Sequence, residues 1–122
     1  MSIKPQVLDL ISLVESGKML EAMTKYYGDN VAMQENISPP TVGFAENYAR
    51  EQAFYGSLRA LKFTLVSVVV EDDRAAVNWV FDYTTADGKQ YRMDEIAIQT
   101  WRNGKIVHER YIYDTASLVA AA

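Results

Sequence analysis

The residues with the most chemical potential lie in the second half of the chain, where Glu95, Gln99, Glu109 and Tyr111 sit among aromatic and aliphatic neighbours. All four occupy odd-numbered positions in runs rich in β-prone residues, and in an extended chain alternate side chains share a face. Glu109 is the most informative, because Val107 and Tyr111 flank it on that same face. A carboxylate buried there is costly unless partnered, and its pKa rises. Groups of this kind concentrate at sites of acid–base chemistry. The plainer reading is a structural carboxylate satisfied by a tyrosine hydroxyl. Both readings stay open.

Other chemistries find little support. The absence of cysteine removes thiolate nucleophiles, disulfides and Cys-ligated zinc. The single histidine, His108, is expected on the opposite side of its strand from Glu109. No Ser-His-Asp set, phosphate-cradling glycine loop or metal-ligand spacing is present. Asp72-Asp73 reads as a turn. No metal and no cofactor are expected.

At 122 residues, with 49% hydrophobic and 23% charged residues, the chain reads as one domain, residues 1–122, with one core. A net charge of -4 with scattered basic residues argues against nucleic acid as a partner. The opening MSIKPQVLDL lacks a signal-peptide pattern, and no apolar run approaches the ~20 residues that span a bilayer. A soluble, cytoplasmic protein without membrane contact is expected.

The first third carries helical periodicity. Val7, Leu8, Ile11 and Val14 follow Pro5, and Ser16-Gly17 ends that helix. Met19, Leu20, Met23, Tyr26 and Tyr27 outline a second helix, which Gly28 is expected to close. Val31-Ala32-Met33 reads as a short extended segment, and Ser38-Pro39-Pro40 as a break. A third helix is expected from about Ala45 to Leu58, with Tyr48, Gln52 and Tyr55 along one side. Four extended runs follow, Lys62 to Glu71, Arg74 to Thr85, Lys89 to Trp101 and Lys105 to Asp114. The dipeptides Asp72-Asp73, Asp87-Gly88 and Asn103-Gly104 separate them, the pattern of an antiparallel meander.

Hairpin register decides which residues face together. Three-residue loops at Ala86-Asp87-Gly88 and Arg102-Asn103-Gly104 pair Tyr83 with Tyr91, Phe81 with Met93, Trp79 with Glu95 and Val77 with Ala97. They also pair Ala97 with Glu109, Glu95 with Tyr111, and Asp82 with Arg92 on the far face. One face then carries Trp79, Phe81, Tyr83, Tyr91, Met93, Ala97, Trp101, Val107, Tyr111 and Tyr113, with Glu95, Gln99 and Glu109 among them. Aromatic walls with a few polar groups line small-molecule pockets, though most such aromatics are plain core. The other face holds Leu65, Val69, Val80, Ile96, Ile98, Ile106 and Ile112 between polar residues. That is apolar for a solvent-facing side, so a homodimer through this outer face is expected.

Three helices followed by a curled meander resemble the cone-shaped, α+β fold of the nuclear-transport-factor-two-like superfamily, a strongly curved sheet packed on N-terminal helices. Two stretches carry the likeness, residues 27–36 (YGDNVAMQEN) with Thr41-Val42-Gly43 after them, and residues 101–114 (WRNGKIVHERYIYD). Residues 54–58 (FYGSL) add to it. Together these stretches read most like the SnoaL-like polyketide cyclases and ketosteroid isomerases. The resemblance implies Glu35 as a general base, since it stands where the isomerases carry their proton-moving carboxylate. It also brings Tyr55 into the pocket's hydrogen-bond network. The isomerases hold their oxyanion with a tyrosine and a protonated aspartate, whose positions fall here near Leu10 or Ile11 and near Ala97. The cyclases' His and Asp on the last strand correspond to Glu109 and Tyr111.

The expected site therefore combines Glu35, Glu109 and Tyr111 as catalytic groups. Tyr55, Trp79, Phe81, Met93, Glu95, Gln99, Trp101 and Tyr113 are expected to contact a small hydrophobic, polyketide- or steroid-like molecule. A non-catalytic binding module and a dimeric interaction domain are the rival readings.

Overall fold

The computed structural model of the chain describes residues 2–115 and 119–120. Helix α1 spans Lys4–Glu15 with Pro5 in its first turn, and it buries Val7, Leu10 and Ile11 while Leu8 stays exposed. Gly17, at φ 78°, turns the chain into α2, Met19–Tyr26. Buried Met19, Ala22, Met23 and Tyr26 fall three or four residues apart on α2, one stripe toward the core.

Tyr27 and Gly28 do not end a helix, as the sequence reading had it. They begin strand β1, Tyr27–Glu35, which is also longer than the three-residue segment expected. Gly28 lies where β1 runs close to the last hairpin, and a Cβ on it would sit 3.3 Å from the Ile106 carbonyl oxygen. Its role is close backbone approach rather than helix termination.

Strand β2, Thr41–Val42, and helix α3, Phe44–Gly56, come next. Asn47 is the one buried residue of α3. Its amide donates to the carbonyls of Val31, Thr41 and Gly43 at 3.2, 2.9 and 2.9 Å, fastening the helix to β1 and β2.

The meander forms as expected: β3 Ala60–Glu71, β4 Arg74–Thr84, β5 Gln90–Arg102 and β6 Lys105–Ile112. The strand order is β2-β1-β6-β5-β4-β3, and a short β7, Val119–Ala120, pairs with β5. Only β1 and β6 run parallel, so the sheet is mainly antiparallel; it curves and stays open at its ends. Irregularities in β1, β3 and β6 strengthen the local twist. Helix α1 packs on β3 and α3 on β1, so the helices roof the concave face. No helix among the described residues is long and apolar enough to cross a membrane.

The β4–β5 register agrees with the sequence reading at every pair named above, including Asp82 opposite Arg92, whose side chains meet at 2.7 Å. Gly88 adopts φ 87°, as the three-residue loop demands. The last hairpin differs. Ala97 pairs with Tyr111 and Gln99 with Glu109, a slip of two residues from expectation. Asn103 and Gly104 both take positive φ and close a two-residue turn, pairing Arg102 with Lys105 and Trp101 with Ile106. Pairing then jumps to Thr100 with His108, leaving Val107 as the extra residue.

Two further corrections follow from such irregularities. Ile106, expected outside, is wholly buried opposite Trp101, and Val107 is the bulged residue rather than a wall of the concave face. Leu65, also expected outside, pairs with Trp79 and packs on the core ahead of the irregularity at Val66.

Candidate functional site

The concave face and the helices enclose a hollow in two connected parts. The inner part, about 50 Å³, is bounded by α1 and α2 residues together with Tyr27, Trp79, Gln99 and Glu109. The outer part, about 340 Å³, lies between α3 and the sheet and includes Glu35, Arg50, Phe81, Met93 and Tyr113. Glu51, Tyr55, Phe63, Glu95 and Tyr111 border both.

At the deep end, Glu109 is 2% exposed and both of its oxygens accept hydrogen bonds. Its Oε1 accepts from the hydroxyls of Tyr27 and, at 2.6 Å, Tyr111; its Oε2 accepts from Gln99 Nε2 at 2.8 Å. Trp101 does not reach the hollow. It is a 1% exposed residue beneath it, whose Nε1 donates to Gln99 Oε1 at 3.0 Å and whose ring meets Tyr26 edge-on. The indole fixes the glutamine amide so that its nitrogen points at Glu109. Burial raises the Glu109 pKa, against the lowering pull of Tyr111, Tyr27 and Gln99. Burial and the carboxylate likewise push the Tyr27 and Tyr111 hydroxyls well up.

The mouth is built differently. Glu35, at the end of β1, is 38% exposed along its side chain and stands 3.7 Å from Arg50 of α3. Burial raises its pKa, and Arg50 and Tyr113 pull it back. Arg50 also approaches Glu51 at 3.4 Å. Burial takes Glu51 up to about 7 despite that guanidinium. Glu95, 5% exposed in mid-β5, has no hydrogen bond to its carboxyl among the described residues. Burial, reinforced by Glu35, Glu109 and Glu51, takes it up to about 8. The aromatic wall continues beside it, with Phe63 stacked on Phe81 at 4.2 Å and Tyr83 tilted against Phe81.

The structure thus brings Glu35, Tyr55, Trp79, Phe81, Met93, Glu95, Gln99, Glu109, Tyr111 and Tyr113 to one hollow and sets Trp101 behind it. Tyr27, Arg50, Glu51 and Phe63 are among the lining residues that escaped the sequence reading. Tyr27 was assigned to a helix, while Arg50 and Glu51 drew no attention on an otherwise polar helix. Glu51 precedes Tyr55 by four residues, the spacing that puts two side chains on one helical face, and this signal could have found it. Among the described residues no cluster of His, Cys, Asp or Glu is arranged to hold a metal ion.

Comparison with known proteins agrees with this architecture. A candidate SnoaL-like polyketide cyclase from Mesorhizobium loti is 27% identical, with a TM-score of 0.80 over 93% of this chain and 100% of that one. An NTF2-like protein of unknown function from Burkholderia pseudomallei K96243 superposes with a TM-score of 0.81 at 14% identity, over 95% and 94% of the two chains. TerC, co-crystallised with polyporic acid, gives 0.78 at 16% identity over 94% and 93%. At such identities the last two speak for the fold alone. No curated protein matches the sequence. Residues 7–109 match the SnoaL-like domain, and with most of its length so matched the chain belongs to the SnoaL-like family.

Proposed function

We propose that the hollow binds a small, largely apolar molecule and that Glu35 acts on it as a general base, in chemistry of the isomerase or cyclase kind. The observation that carries this reading is the lining itself: carboxylates held in unlike environments within one aromatic-walled cavity. Such divergence separates a group able to take a proton from one that keeps it. Glu35 has access to the mouth and a guanidinium that favours its ionised form. Tyr55, Trp79, Phe81, Met93 and Tyr113 supply apolar contact, and Gln99, Glu109 and Tyr111 form the polar floor. The co-crystallisation of a fold relative, TerC, with polyporic acid supports small-molecule binding.

A thermal-shift screen against hydrophobic carbonyl compounds should raise the melting temperature with at least one of them. Glu35→Gln should then abolish turnover of that compound by at least about a hundredfold while leaving the melt unchanged. Retention of turnover removes Glu35 from the mechanism.

One observation favours a binding module without catalysis. Glu109 commits both oxygens to Tyr27, Tyr111 and Gln99, which leaves it little capacity to exchange a proton. In that case Glu35→Gln changes affinity and nothing else.

The homodimer belongs to the same proposal. Val69 is 64% exposed, Ile96 41% and Ile112 37% on the convex face, and a second copy would cover them. Sedimentation should report a dimer that Val69→Lys disrupts.

A further inference from the structure

The charge balance of the hollow says more about its ligand than the apolar wall does. Carboxylates reach it from four elements: Glu35 of β1, Glu51 of α3, Glu95 of β5 and Glu109 of β6. Among the described residues Arg50 is the one cation lining it, and Glu35 and Glu51 flank its guanidinium at 3.7 and 3.4 Å. The remaining titratable neighbours are tyrosines 27, 55, 83, 111 and 113, all with pKa values raised by burial and hence uncharged. Glu109 is satisfied by three donors.

Glu95 is the group left over. It is nine-tenths buried or more, it has no hydrogen-bond partner at its carboxyl among the described residues, and it opens onto both parts of the hollow. A buried carboxylate without a partner opposes folding, and the cost disappears when a cation is brought to it. The space beside it is walled by the rings of Phe54, Phe63, Phe81 and Tyr83, whose π faces also attract cations. An anionic ligand would meet the reverse: carboxylates from four elements, and one guanidinium already flanked by two of them, with its buried Nε left without a hydrogen bond among the described residues.

We propose that the hollow takes a small apolar molecule bearing one positively charged amine, its ammonium facing Glu95 and Glu51 and its body against the aromatic wall. This rests on the reading of the hollow as a ligand site and names the ligand class that site prefers. Binding is linked to protons, because a cation beside Glu51 and Glu95 favours their ionised forms and displaces the protons that burial retains.

Phenyltrimethylammonium, a cation that cannot titrate, and tert-butylbenzene, its neutral isostere, separate charge from shape. In calorimetric or NMR titrations the ammonium should bind about tenfold tighter than the hydrocarbon, a difference of about 1.4 kcal/mol. Its affinity should rise between about pH 6 and about pH 9, as Glu51 and Glu95 ionise at about 7 and about 8. Glu95→Gln should lower ammonium affinity about tenfold and leave the hydrocarbon unchanged. If that variant does not fold, the pH profile of the unaltered chain decides. Equal or tighter binding of tert-butylbenzene, or a flat pH profile, overturns the amine and leaves the ligand site standing. Binding of neither probe overturns both.

Discussion

Two glutamates on neighbouring strands of one sheet meet opposite fates. Glu109, at the deep end, is enclosed by Tyr27, Tyr111 and Gln99, and Gln99 is itself held by Trp101. Glu95, toward the mouth, is almost as buried yet has no such shell. Burial alone therefore does not distinguish a carboxylate that builds the fold from one reserved for a ligand. The inventory of donors around it does.

The contrast can be broken most forcefully at the deep end. Glu109→Leu leaves two tyrosine hydroxyls and a glutamine amide without their acceptor, and should cost about 3 kcal/mol in urea unfolding. Glu109→Gln keeps the shape and should cost less. A loss under about 1 kcal/mol for the leucine variant would mean that the deep network does not hold the fold.

The second expectation concerns pH. Glu95 and Glu51 move from an ordinary 4.5 up to about 8 and about 7 in the folded chain. Between those limits the folded state keeps protons that the unfolded state has released, so stability falls as pH rises. The decline should begin near pH 4.5 and level off above about 8. Glu95→Gln should remove most of that slope and melt higher than the natural chain at alkaline pH. A slope unchanged by the substitution would place the proton elsewhere.

The smallest effect is expected at Trp101. Trp101→Phe keeps most of the ring but removes the donor to Gln99, and should cost about 1 kcal/mol by the same measurement. A loss several times larger would show that the indole carries packing as well as orientation.

Much of this was legible in the chain. Alternation and turn dipeptides located all four long strands, and Asp87-Gly88 set the β4–β5 register to the residue. Asn103-Gly104 misled, because the same dipeptide serves two-residue and three-residue loops, and the bulge that restores the facing lies three residues beyond the turn, at Val107. Equal parity explains why the other residues expected on the concave face, Val107 apart, still share it despite the two-residue slip. Gly28 misled for another reason. A glycine after a helical stripe looks like a stop, whereas here strand proximity excludes a side chain, and that proximity arises from a residue some eighty positions away. Arg50 and Glu51 were hidden by composition, since a polar helix face reads as solvated until the sheet it covers is known. Unlike the register, the separate environments of Glu95 and Glu109 leave only a partial local trace: Tyr111 lies two residues from Glu109, but the other donors come from β1 and β5.

The extra residue at Val107 also gives the last strand room to lose one residue. Removing it would join the tight Asn103-Gly104 hairpin to an unbroken ladder and keep Trp101 opposite Ile106, Thr100 opposite His108 and Gln99 opposite Glu109. Glu109 and Tyr111 would stay on the cavity side of the strand, and His108 and Arg110 on the other. A one-codon deletion could thus straighten the strand while leaving the polarity of the chamber as it is.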